Sequence, residues 1–321
     1  MKSKILSIFV LCALVAGCRG RSAVNDGPSV ESGNSFPMVE VPGVMSEPQD
    51  RVDYLTEHFW DRFADAKGTT DSLTIKGIPQ KEVEEKFVLW VTVLKAASAP
   101  VMEKAVAGTV SAARAEASAT RDYAVLNKLT ELACRHLYDP NSPGRNEEAY
   151  LVFLSALLSG PLPDESSRSI YEFQAKLCSL NRPGTPAADF KFITPEGRIS
   201  SLYSVEAPVT LLIFSNPGCP LCATYQDNLR KSEPLSDKLH KGAFKIVNIY
   251  PDEDVQAWEE YVRTYPPEWI CGRDHLGQLF SNTIYSLRAI PSLYLLDADK
   301  NVILKDATYE EVEMKLYDLL F

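Results

Sequence analysis

Cys219-Pro220-Leu221-Cys222 follows the apolar run Val209-Thr210-Leu211-Leu212-Ile213-Phe214 across the turn-forming Ser215-Asn216-Pro217-Gly218. Residues three apart on a helix share a face, so thiols at this spacing can close a small disulfide ring while the N-terminal one faces outward. At a helix start, backbone N–H groups and the positive end of the helix dipole lie near Cys219 and favour thiolate over thiol. Thiolate is the form that attacks a disulfide, so spacing and setting point to dithiol redox chemistry. The same cysteines fit a second chemistry. With Cys271 and His275 they make a CxxC plus CxxxH set of four donors that would suit zinc. The long separation between the two halves, and the strand-turn-helix setting of the first, favour the redox reading. Cys271 alone then reads as a spare buried or half-buried thiol, and His275 as a loop or helix-start residue.

A dithiol in this setting needs a buried strand to deliver it and a helix to follow it. The chain after the breaker cluster Asn181-Arg182-Pro183-Gly184-Thr185-Pro186 has the pattern for both. Phe190, Phe192 and Ile199 flank Thr194-Pro195-Glu196-Gly197 as a short hairpin. The strand 209–214, a helix from Cys219, a strand 244–250, a helix 255–265, a strand near 269–271 and a helix 276–284 come next. Residues 291–297 and 302–305 form a second hairpin across Asp299-Lys300-Asn301, and 309–320 closes as a helix. This alternation implies an α/β domain with a mixed central sheet covered on both faces.

From about residue 50 to 181 the period is helical instead. Val52, Leu55, Phe59 and Phe63 repeat at helix spacing, as do Val83, Phe87, Trp90, Val91 and Leu94. Pro100 opens an Ala-rich segment to Ala119. Tyr123, Leu126, Leu129, Ala133 and Leu137 mark a further helix that Asp139-Pro140-Asn141-Ser142-Pro143-Gly144 ends, and helices around 147–158 and 166–180 complete this half. The expected fold class is therefore α+β in two domains, an all-α N-terminal domain at 50–181 of unassigned role and an α/β domain at 184–321. The chain's 321 residues suit two domains, and 45% hydrophobic residues support the cores. No catalytic cluster shows in the helical half. His58 and His136 stand alone and read as structural, since one imidazole without a partner specifies no chemistry. Phe59-Trp60 reads as core packing rather than a docking face. Cys134 and Cys178 read as small buried hydrophobes, with a bridge between them left open.

Residues 184–321 resemble the TlpA-like thioredoxin-family thiol-disulfide oxidoreductases of bacterial envelopes. The resemblance is carried by Pro186-Ala187-Ala188-Asp189-Phe190, Pro195-Glu196-Gly197-Arg198, the strand with Cys219-Pro220-Leu221-Cys222, Ala289-Ile290-Pro291-Ser292, and Tyr294-Leu295-Leu296-Asp297 before Lys300-Asn301. It implies a thioredoxin-like fold, with Ile290-Pro291 cis against the dithiol and its backbone open to an extended substrate segment. It implies Cys219 as nucleophile and Cys222 as resolving thiol, with no cofactor or metal beyond the Cys219–Cys222 disulfide. The implied partners are protein thiols and disulfides and an upstream membrane electron donor, with reduction of envelope protein disulfides as the activity. Two positions depart from the relatives. Ile213 stands where many thioredoxins have a buried Asp, and Tyr225 where some TlpA-like reductases have a Glu, so the proton acceptor for Cys222 is unassigned. The alternatives are a thiol peroxidase, which the second cysteine argues against, and a non-catalytic thioredoxin-fold binding or scaffold lipoprotein.

The N-terminus sets the expected compartment. Lys2 and Lys4, an apolar stretch from Ile5 to Ala16, and Val15-Ala16-Gly17-Cys18 read as an export signal at 1–17. The pattern resembles a lipobox, which implies cleavage before Cys18 and a lipid anchor on its sulfur. Residues 18–49, rich in Ser, Pro, Gly and Val, then form a flexible tether. The expected location is the bacterial cell envelope, lipid-anchored and facing the periplasm, an oxidising compartment. Net charge is −10, and losing Lys2 and Lys4 with the signal makes it −12, which argues against nucleic acid as a partner.

Overall fold

The computed structural model describes residues 34–162 and 164–321. The export signal, Cys18 and the first half of the tether lie outside the described residues. The chain divides into two compact units between Arg168 and Ser169.

The first unit is built on the helical repeats visible in the sequence. Helices α1 (Pro48–His58) and α2 (Asp61–Ala64) are followed by α3 (Gln80–Ala96), which buries Val83, Phe87, Trp90, Val91 and Leu94 along one stripe. Helix α4 (Ala99–Thr120) starts with Pro100 in its first turn, where the missing N–H is not needed. Helix α5 (Ala124–Ala133) runs into a π-helical turn at Cys134–Tyr138, and α6 (Glu147–Leu158) is capped by Asn146, whose Oδ1 accepts from Ala149 N at 3.0 Å. Phe59 and Trp60 are core residues, the indole packing edge-on against Phe36, Phe63 and Trp90 at 5.3–5.7 Å between centroids. The lone histidines have carboxylate partners: His58 Nδ1 lies 2.7 Å from Asp61 and His136 Nε2 3.2 Å from Glu84.

This unit is not all-α. Strands β1 (Thr74–Ile75) and β2 (Ile78–Pro79) pair antiparallel around Lys76-Gly77, both of which have positive φ, at 52° and 75°. Two successive left-handed residues match the twist of a two-residue hairpin, a turn that helical periodicity does not reveal.

Helix α7 (Arg168–Cys178) opens the second unit from its second residue, Ser169, onward. The expected boundary lay in the breaker cluster 181–186, whereas the second compact unit takes in that cluster and all but the first residue of α7. Lys305 Nζ donates to the carbonyls of Cys178 and Leu180 at 2.8 and 2.6 Å, and Asn181 Nδ2 donates to Ile284 O at 2.8 Å. Residues 184–187 form a strap of backbone hydrogen bonds with Lys300 and Val302. Strands β3 (Lys191–Ile193) and β4 (Ile199–Ser201) make the first hairpin. Then come β5 (Thr210–Phe214), α8 (Pro220–Lys231), α9 (Glu233–His240), β6 (Lys245–Tyr250), α10 (Val255–Tyr261), β7 (Ile270–Asp274), α11 (Gln278–Ser281), β8 (Ser292–Leu296), β9 (Val302–Leu304) and α12 (Tyr309–Leu320). Helix α11 is much shorter than the expected 276–284, since Leu276, Gly277 and Thr283 take left-handed φ and close it at both ends.

The sheet order is β4-β3-β7-β6-β5-β8-β9, parallel at β7-β6-β5 and antiparallel at its other pairings. All five residues of β5 are buried, and the two-residue period sorts them. Leu211 and Ile213 face a cluster with Leu229, Phe244, Leu293, Val312 and Leu316, whereas Leu212 and Phe214 face one with Phe190, Phe192, Val247, Tyr285 and Tyr294. A strand read as continuous apolar sequence is thus one packed on both faces. Among the described residues no helix is long and apolar enough to cross a membrane. Leu212→Ala, at the centre of β5, is expected to lower the unfolding free energy by about 2–5 kcal/mol, read from the urea midpoint at unchanged m-value.

Candidate active site

Strand β5 ends at Phe214, and the chain must turn at once because the apolar clusters end there. Ser215 N donates to Ile249 O at 3.0 Å and extends the sheet by one bond. Gly218 takes φ 73°, a left-handed value that favours glycine, and brings the chain round to α8. Cys219 is the N-cap of that helix and Pro220 its first residue.

The two cysteines are joined as a disulfide, with Cα atoms 5.3 Å apart. Their surroundings differ. Cys219 is half-buried and its Sγ accepts from Cys222 N at 3.1 Å, in the position an Asp or Ser side chain takes at other helix starts. A negative charge on this sulfur is favoured by that N–H and by the helix dipole, so Cys219 is the better thiolate. Cys222 is 2% exposed on the inner face of α8, which leaves only Cys219 within reach of another protein.

Ile290-Pro291 is cis and leads into β8. Cys219 Sγ lies 3.7 Å from the Ile290 carbonyl oxygen, so the predicted site residues Cys219, Cys222, Ile290 and Pro291 form one group. The zinc set does not assemble. Cys219 and Cys222 use their sulfurs on each other, while Cys271 is buried on β7 opposite Asn248 and His275 lies just past that strand. Among the described residues no group of three or more His, Cys, Asp or Glu converges for a metal. Cys134 and Cys178 are thiols. Cys18 lies outside the described residues.

Three residues under the site were not singled out from sequence. Ser215 Oγ donates to Asn248 Oδ1 at 2.8 Å and lies 3.0 Å from Tyr265 Oη, all three being buried. Burial raises the Tyr265 hydroxyl pKa, so it stays protonated and a donor. Asn248 pairs in register with Ile213 on one side and Cys271 on the other, placing a neutral amide between them. Its signal was in the sequence: a lone Asn inside Ile246-Val247-Asn248-Ile249 is a polar group in a buried strand, which has to be satisfied. Asn216 Nδ2 donates to Asp252 Oδ2 and pins the turn before the cysteines. Tyr225 packs on Tyr309, 5.5 Å between ring centroids.

The first unit has a cavity of about 350 Å³, lined by Trp60, Phe63, Lys76, Lys104 and Glu116 among others. Its charges neutralise one another, Lys76 with Glu116 at 2.8 Å and Lys104 with Glu57 at 2.9 Å.

With this geometry established, likeness to known proteins adds context. Residues 18–181, half of the chain, match a family model described as a domain of unknown function, DUF5106. Nearly the whole chain is similar to a thioredoxin-like protein from Bacteroides caccae, with 31% identity over 89% of this chain and 99% of that one and a TM-score of 0.79. The C-terminal domain of an uncharacterized protein from Bacteroides fragilis is 39% identical over 43% of this chain and 98% of its own, with a TM-score of 0.42. The thioredoxin domain of a thiol-disulfide oxidoreductase from Bacteroides vulgatus is 21% identical over 42% of this chain and 97% of its own, with a TM-score of 0.35. No curated protein matches the chain.

Burial pushes the Cys271 thiol up to about 12, far from reactivity at neutral pH. In the reduced, native protein, iodoacetamide at pH 8 is expected to modify Cys219 first and to leave Cys271 intact until denaturant is added, as peptide mass spectrometry would report.

Proposed function

We propose that this chain, which belongs to the DUF5106 family and to the thioredoxin-like proteins, is a thiol-disulfide oxidoreductase of the TlpA-like type that works through Cys219 and Cys222. The observation that carries the reading is the unlike setting of the two linked sulfurs. One is half-buried at a helix N-terminus beside the Ile290-Pro291 backbone, and the other is buried behind it.

In the reducing direction, Cys219 thiolate attacks one sulfur of a substrate disulfide. The substrate S–S bond breaks, a Cys219–substrate mixed disulfide forms, and the first substrate thiolate leaves and takes up the Cys222 proton. Cys222 thiolate then attacks Cys219 Sγ, closing the Cys219–Cys222 bond and expelling the second substrate thiolate. Two electrons have passed from the protein dithiol to the substrate disulfide, and an upstream membrane electron donor restores the dithiol. The half-buried backbone at Ile290 and Pro291 is placed to offer hydrogen bonds to an extended substrate segment across the Cys219 sulfur.

The compartment we assign is the cell envelope, periplasmic side, with a lipid on Cys18. Its support is the Lys2/Lys4, apolar stretch and Ala16-Gly17-Cys18 pattern, and the substrates are proteins whose disulfides form in that compartment. The −10 charge argues against a nucleic-acid role.

Cys219→Ser is expected to abolish turnover of a protein disulfide, at least about 100-fold below wild type (an order-of-magnitude floor set by loss of the accessible thiol of the pair). Cys222→Ser strands the substrate on Cys219, and mass spectrometry of the trapped adduct from envelope extracts identifies it. Equal exchange rates for wild type and Cys219→Ser would sink the reading.

A further inference from the structure

The inner stripe of α8 is Cys222, Gln226 and Leu229, spaced four and then three residues apart. Leu229 packs in the cluster that contains Ile213 and Cys271, so this stripe faces the sheet position where relatives carry an acid. Gln226 is 6% exposed, and its Nε2 is buried with no hydrogen-bond partner among the described residues. A buried amide donor left unused costs free energy, so such a group in a packed core calls for an explanation. Helical side chains lean back toward the N-terminus, so Gln226 covers the turn that holds Cys222. Residues four apart on a helix have Cβ atoms about 5–6 Å apart, within reach of a glutamine amide for a sulfur.

We infer that Gln226 Nε2 is the hydrogen-bond donor to the Cys222 sulfur once the disulfide opens. In the oxidised protein Cys222 Sγ has no charge and asks little of a donor. When the bond to Cys219 breaks, Cys222 has to pass through a thiolate inside a site that water does not reach, and a charge there is costly without a hydrogen bond. Cys219 has the helix N-terminus for this purpose, and Cys222 lies too far inside to share it. With Ile213 and Tyr225 providing no carboxylate, the amide acts on Cys222 as a donor that holds the thiolate, where an acid would act as a base that takes its proton. The bond forms only in the reduced pair and therefore favours the dithiol over the disulfide. This rests on the oxidoreductase reading for its place in turnover, and on the α8 packing alone for its effect on the redox equilibrium.

The test uses two variants in the full-length protein. Gln226→Met keeps length and bulk without an N–H, and Gln226→Glu keeps the shape but presents an acceptor. Equilibration of the Cys219–Cys222 pair with reduced and oxidised glutathione reads the first effect. Gln226→Met is expected to shift the constant about three- to tenfold toward the disulfide, which corresponds to about 14–30 mV more negative. Single-turnover reaction of the dithiol with oxidised glutathione reads the second. In Gln226→Met, formation of the Cys219–glutathione adduct is expected to keep its rate while closure by Cys222 slows about three- to tenfold, whereas Gln226→Glu, which can take the Cys222 proton, is expected not to slow closure. Unchanged potential and unchanged closure in natively folded Gln226→Met overturns the inference. Failure of wild type to exchange with any protein disulfide would sink the oxidoreductase reading instead, and the glutathione equilibrium would still judge Gln226.

Discussion

Burial of β5 on both faces is the constraint from which the site follows. A strand closed in by apolar side chains above and below has no water for its backbone, so its N–H and C=O groups must be met by β6 and β8 along its whole length. Where those neighbours end, the chain has to leave the sheet in a few residues and re-enter hydrogen bonding as a helix. That forces a helix N-terminus, with its unpaired N–H groups, to the edge of the sheet. Cys219 sits at that point, so the backbone donors that any helix start leaves open are spent on a sulfur. The antiparallel strand β8 begins beside the same edge, and this is why the Ile290 carbonyl arrives next to the cysteine although seventy residues of sequence, roughly, separate them.

The two sulfurs are then divided by position on one helix. The residue before the first turn points out and meets solvent and N–H groups; the residue three further on points in and meets side chains. When the bond between them opens, the dipole end favours negative charge on the first sulfur and burial disfavours it on the second. The polar groups beneath, Ser215, Asn248 and Tyr265, satisfy one another and are neutral. With Ile213 and Tyr225 where a carboxylate could have stood, the groups close to the pair are amides and hydroxyls.

Much of this was legible in the sequence because it is local. The strand at 209–214, the turn, the helix start at Cys219 and the closing helix at 309–320 are each announced by an unbroken apolar run, a Gly or Pro, or a capping Thr308. The parts not legible are those made by distant residues. Asn181-Arg182-Pro183-Gly184 has every mark of a linker, and only its bonds to Ile284 and Val302 reveal that it belongs to the sheet domain. Gln226 looks unremarkable in sequence because its meaning lies in what stands across the core from it. The Lys76-Gly77 hairpin was hidden by the helical repeats on either side of it.

The strap at 184–187 has a further consequence. A sheet of this kind has two free rims, and a rim of unpaired N–H and C=O groups invites a strand from any passing unfolded chain. The strap occupies the outer side of β9, with Pro186 bridging to Asn301 and a proline turning no donor outward, while β4 leaves the opposite rim only three residues long. An extended chain is thereby denied both flanks. What stays open is the tip where the Cys219 sulfur lies, so a chain that docks there can leave again without being drawn into the sheet.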